Sequence, residues 1–142
     1  MSGHVMDTSA ILCVLDQEDG ADRVLEVLDS ARGRSPDASA TVFVPFMSLM
    51  EIEYWLQRRL PLREAERIAL LVENWPVSVE ESTPEWRREA ARVKAAYSLS
   101  VADAWIASLA ILRDAMLVHK DPEFDQVAGL KVERLPYKPR AG

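Results

Sequence analysis

Four acidic residues stand out by position: Asp7 in VMDTSAIL, Glu51 in VPFMSLMEIEYW, Asp103 in LSVADAWIASLA and Asp121 in LVHKDPEFDQVAGLKV. Asp7 is flanked by Val5, Met6 and the apolar run AILCVL, and Asp103 has small apolar neighbours. No Lys or Arg adjoins either one. A carboxylate charge in such surroundings is costly unless something compensates it. A shared divalent cation would do so, and Mg2+ or Mn2+ prefers an oxygen-only set. The pattern therefore points to a site for a divalent cation held by carboxylate oxygens.

The same acids also fit a structural role. Ser48-x-x-Glu51 and Ser100-x-x-Asp103 both match a capping box, in which the acid satisfies an orphan backbone N–H. Asp7 and Asp121 fit as helix N-caps, the latter before Pro122. Capping and catalysis therefore both remain open for each acid taken singly.

Composition narrows the chemistry. A single cysteine, Cys13, excludes an internal disulfide, and its place in AILCVL predicts a buried thiol. One Cys and two His cannot build a Cys/His zinc site. A net charge of −6 argues against coating nucleic acid by positive field alone. Local basic groups do occur, at Arg58, Arg59, Arg63 and Arg67 and again at Arg87, Arg88, Arg92 and Lys94. They read as solvated helix faces or as contacts for RNA or a partner. No apolar run approaches the roughly 20 residues that span a bilayer. With no targeting pattern in MSGHVMDTS, the expectation is a cytoplasmic protein without membrane association.

The elements that must position the acids follow from periodicity. Strands are expected at His4–Met6, Thr41–Val44, Pro76–Val79, Met116–Val118 and Lys131–Leu135. Helical stripes lie between them: one opening at Asp7-Thr8-Ser9, then Val24, Val27, Leu28 and Ala31. A hairpin follows over Leu49–Trp75, broken at Pro61, then helices opening at Thr83-Pro84 and at Ser100. RGRSPDASAT reads as loop. Strands alternating with helices predict a single α/β domain with a parallel sheet between helical layers. We place the domain at residues 1–137 and a flexible tail at 138–142. In such a sheet, sites form outside the carboxyl ends of the strands. Asp7 follows the first strand, Glu51 falls in the first turn after the second, and Asp121 follows the fourth. Asp103 opens the helix that leads into the fourth. All four acids are therefore sent to one rim.

Those four motifs, in this order and spacing over about His4 to Leu135, resemble the PIN-domain ribonucleases, above all the VapC-type toxins of toxin–antitoxin pairs. The resemblance implies a PIN-like three-layer fold around a five-stranded parallel sheet. It implies Mg2+ or Mn2+ dependence and endonucleolytic hydrolysis of RNA, transfer or ribosomal RNA included, by water rather than the ribose 2′-OH. It also implies a homodimer and inhibition by a cognate antitoxin, with the hairpin as the candidate dimer surface. Carried over by residue, the metal-binding and catalytic acids are Asp7, Glu51 (rather than Glu53), Asp103 and Asp121. Ser9 and His119 are supporting candidates. His119 stands where such proteins often carry Thr or Ser. Glu53, Glu123 and Asp125 are outer candidates, and Trp105 is a core residue before it is a base-stacking one.

Two other classes compete. A dehalogenase-type phosphatase needs an aspartate where Ser9 stands, and a receiver needs its lysine in a different context from Lys120. A catalytically inert interaction module of the same fold is the stronger rival, though keeping all four acids weighs against it.

Overall fold

A computed structural model describes residues 3–32 and 41–137. Positions 33–40 of the expected loop RGRSPDASAT and the tail over 138–142 lie outside the described residues. The elements run β1 (His4–Met6), α1 (Thr8–Leu15), α2 (Ala21–Ala31), β2 (Val42–Pro45), α3 (Phe46–Gln57), α4 (Leu62–Glu73) and β3 (Ser78–Glu80). They continue with α5 (Pro84–Ala96), α6 (Val101–Arg113), β4 (Met116–His119), a 3-10 turn (Pro122–Gln126) and β5 (Val132–Arg134). The five strands form one sheet in the order β3-β2-β1-β4-β5, every pair parallel.

Strand alternation divides the core. Val5 and Leu117 turn to one face and Met6 and Val118 to the other, as successive side chains of a strand must. Under the first face, Trp86, Val93, Leu99, Ile106 and Leu109 bring in α5 and α6. Under the second, Ile11, Val24, Leu28, Ile52, Leu56 and Val72 bring in α1 to α4. The apolar spacing of each helix thus selects the layer it joins. Trp86 also satisfies its indole N–H on Trp105 O at 2.8 Å and Ser108 Oγ at 2.9 Å, so this polar atom is buried without penalty.

Helix starts follow the expected chemistry at three places. Asp7 accepts from the Ser9 N–H at 3.2 Å, Thr83 caps Trp86 at 3.1 Å with Pro84 behind it, and Ser100 caps Asp103 at 3.1 Å. The expectation at Ser48 fails. α3 begins at Phe46, directly after Pro45, so Ser48 lies inside the helix with its hydroxyl buried and without a partner. Pro45 already ends β2 in extended backbone and sets the helix off at the next residue, three residues before the Ser-x-x-Glu pattern would. Glu51 consequently sits in the second turn of α3, not the first. Strand edges also move slightly: β2 runs to Pro45, β3 begins at Ser78, and β5 is confined to Val132–Arg134.

Among the described residues, no single helix is long and apolar enough to cross a membrane.

Candidate active site

The chain leaves β1 and winds through β2 and β3 on one side, then returns to build β4 and β5 on the other. The strand order therefore reverses between β1 and β4, and the cleft beyond their carboxyl ends is where such folds place ligands. Asp7 is the first residue after β1, and its N–H bonds Val118 O of β4 at 3.1 Å. Asp121 follows β4 by two residues and caps the 3-10 turn, accepting from the Glu123 N–H at 2.9 Å. Asp103 comes from the first turn of α6. Glu51 reaches over from α3 and accepts from Thr8 Oγ1 at 2.8 Å.

The structure brings these four acids into mutual electrostatic contact. Asp7 is 3% exposed, and its carboxyl is pushed up to about 7. Burial is the main cause, opposed by hydrogen bonds from Ser9 and reinforced by repulsion from Asp121 and Glu51. Asp103 is also pushed up to about 7, again first by burial, then by repulsion from Asp7, Asp121 and Glu51. Asp121 stands near enough to share a proton with it. Asp103 is half-buried, shallower than its apolar sequence neighbours suggest, because only one side of the α6 first turn meets the sheet. Among the described residues, no three Asp, Glu, His or Cys side chains already stand in the close arrangement that grips one ion.

Ser9 and His119 support the rim differently. The Ser9 hydroxyl donates to Asp7 and accepts the Lys120 N–H at 2.8 Å, joining the turn after β1 to the turn after β4. His119 is fully buried and packs its ring edge-on against Phe124 (centroids 5.1 Å apart). Its Nδ1 accepts the Asp121 N–H at 3.0 Å, so the imidazole acts on the backbone that carries Asp121. Burial holds its pKa down, which keeps the ring neutral and able to accept.

The outer candidates are not drawn in. Glu53 and Glu123 are exposed, and Asp125 pairs with Arg134 at 2.5 Å and meets the Tyr137 hydroxyl. Lys120, the lysine a receiver would need, turns its Nζ to Glu18 at 3.2 Å and to Asp19 O at 3.0 Å. Trp105 packs edge-on against Phe46 and Trp86, with centroids 5.6 and 4.9 Å away, yet it is not fully covered. Cys13 is buried, as its apolar run implies. One supporting residue escaped the sequence reading. Thr8 looked like a helix-start residue, and only the packing of α1 against α3 shows it holding Glu51.

Replacing Ser9 by Ala removes a hydrogen bond that favours the charged form of Asp7. A hydrogen bond to a charged group contributes about 1.5–3 kcal/mol. The expected result is a further rise of the Asp7 titration midpoint by about 1–2 pH units, read by carboxyl-carbon NMR. An unchanged midpoint would show that the hydroxyl does not act on the carboxylate.

A doubly wound parallel sheet with acids gathered at its switch point defines the class: an α/β domain with an anionic, oxygen-only rim. The chain belongs to the PIN domain family, whose profile matches residues 5–130. Among solved structures, the VapBC2 complex of Rickettsia felis bound to a promoter DNA fragment contains a chain that superposes with a TM-score of 0.74. It is 15% identical, over 94% of this chain and 98% of that one. The DNA-bound VapBC of Salmonella typhimurium gives 0.71 at 16% identity, over 94% and 98%. PAE2754 of Pyrobaculum aerophilum gives 0.65 at 19%, over 92% and 90%. At such identities the likeness is one of fold. No curated protein matches.

Proposed function

We propose that this PIN domain is a Mg2+- or Mn2+-dependent endoribonuclease and the toxin of a toxin–antitoxin pair. One observation carries the reading: Asp7 and Asp103 are both pushed up to about 7 among acids that repel them, and among the described residues no basic side chain offsets the charge. The donor set fits a hard divalent cation, being all oxygen, carrying negative charge and facing one cleft. Asp7, Asp103 and Asp121 would hold it, and Glu51, steadied by Thr8, would position water or a second ion. When bound, the ion supplies a more acidic water and screening of the phosphodiester charge. The chain's own part is orientation. Ser9 fixes the Asp7 carboxylate against β4, and His119 fixes the turn that presents Asp121.

The PIN family is in general one of nucleases, which supports hydrolysis of a nucleic-acid backbone; RNA as the substrate is the finer part of the proposal. Two of the solved relatives are described as VapBC complexes, and a cognate antitoxin partner is proposed for this chain by analogy. A homodimer is proposed through the α3–α4 hairpin, where Leu62, Leu70 and Leu71 are more than half exposed. A cytoplasmic location is proposed with it.

Calorimetric titration with Mn2+ tests the metal centre directly. Binding at or below millimolar Mn2+, lost on Asp7→Asn, is expected, together with RNA cleavage that chelator stops and Mn2+ restores. No heat at millimolar Mn2+ would leave an inert interaction module as the correct reading.

A further inference from the structure

We propose that a cavity between α5 and α6 is a nucleobase pocket for the RNA strand, receiving a base that flanks the bond to be cut. The proposal rests on the nuclease reading above and extends it to how the strand is held.

The cavity has a volume of about 200 Å³ and is lined by Ala90, Ala91, Val101, Ala104 and Trp105, with Arg87 and Lys94 at its sides. Drug-sized ligands need roughly 300–1,000 Å³, so this space takes a fragment the size of one ring system. Its wall is almost wholly apolar, and Trp105 supplies an aromatic surface. Base–aromatic stacking is sequence-tolerant because every base has a π-face. The two cations complete the match. Arg92 on the same helix is engaged by Glu89, but among the described residues neither Arg87 nor Lys94 joins an ion pair. In a chain of net charge −6, two uncommitted cations beside an apolar slot favour an anionic partner with a flat apolar part. A nucleotide strand has both, phosphates for the cations and a base for the slot.

Position relates the cavity to the acids. Val101, Ala104 and Trp105 form one face of the first turns of α6, spaced three and four apart, and Asp103 occupies nearly the opposite face of the same turn. The cavity and the acidic rim therefore lie on two sides of one helix start, about one helix diameter, roughly 10 Å, apart. A strand crossing that helix start would place its reacting phosphate among the acids and a neighbouring base against Trp105.

The test uses a short fluorescein-labelled oligouridylate and the Asp7→Asn protein, which is expected not to cut. Ala91 is exposed at the cavity lip, so Ala91→Phe fills the space without entering the core. The expected result is weaker binding by about 5- to 100-fold, the range for one lost stacked base. Lys94→Ala and Arg87→Ala should each lower the slope of log affinity against log salt by about 0.7, one phosphate contact on a single strand. Mn2+ titration is run on the same pocket substitutions with Asp7 intact and should match the unsubstituted protein, so a failed metal centre and a failed pocket give different records. Unchanged affinity and slope would overturn the pocket. So would loss of a protein complex in these variants with RNA binding intact, which would assign the cavity to a protein partner.

Discussion

Asp7→Asn is expected to abolish RNA cleavage, by at least about 100-fold on the scale of losing one preorganised electrostatic group, while making the metal-free protein more stable. The two effects share an origin. Asparagine keeps the helix cap to Ser9, since Asn and Asp cap about equally well. It removes a charge that the folded state holds at a loss. A carboxyl moved from 3.8 to about 7 carries a penalty on the order of 4 kcal/mol at pH 8. Asp103→Asn should act in the same sense on cleavage, and the double variant should gain less stability than the two singles added together. The first substitution relieves part of the repulsion that the second would relieve. Denaturant melts beside a cleavage assay check both. An Asp7→Asn protein that melts earlier and still cuts would refute the assignment.

The second large effect is on the pH dependence of stability without metal. Asp7 in the unfolded chain releases its proton near 3.8, but in the folded protein it holds the proton to about 7. Between these values the folded state binds more protons, so stability is greatest at the acid end of the window and falls as pH rises through it. Asp103 adds to the same slope. Carboxylates held low by cations, Glu133 by Arg23 and Asp114 by Lys131, act in the opposite sense only below the ordinary carboxylate range, and the lowered pKa of buried His119 offsets part of the two acids' slope just below pH 6.5. Urea melts in chelator should therefore show stability decreasing from about pH 5 to pH 8. Saturating Mn2+ should cancel or reverse the decrease, because a cation binds the deprotonated acids. At one hundred times its Kd the ion adds about 2.7 kcal/mol. A flat profile in chelator would mean that the acids are neither crowded nor desolvated.

Much of this was legible before any coordinates. The five parallel strands follow from short β-branched runs separated by helical stripes, and the convergence of Asp7, Glu51, Asp103 and Asp121 follows from that order. What failed was local. Ser48-x-x-Glu51 obeys the capping pattern, yet Pro45 starts the helix earlier and leaves Ser48 buried. Contacts between distant turns were also invisible: Thr8 with Glu51 and Ser9 with Lys120 depend on how α1 packs against α3 and β4. His119 was ambiguous because spacing places a side chain near a site without saying which way its ring turns.

The reversal of strand order between β1 and β4 has a temporal side. Asp7 is translated before the strand that lines the other wall of its cleft, since β4 follows α6 in the chain. A nascent chain that still lacks β4 has no place where the acids can meet. Under the function proposed above, the chain would thus be made in inactive form and become competent only once β4 has been added.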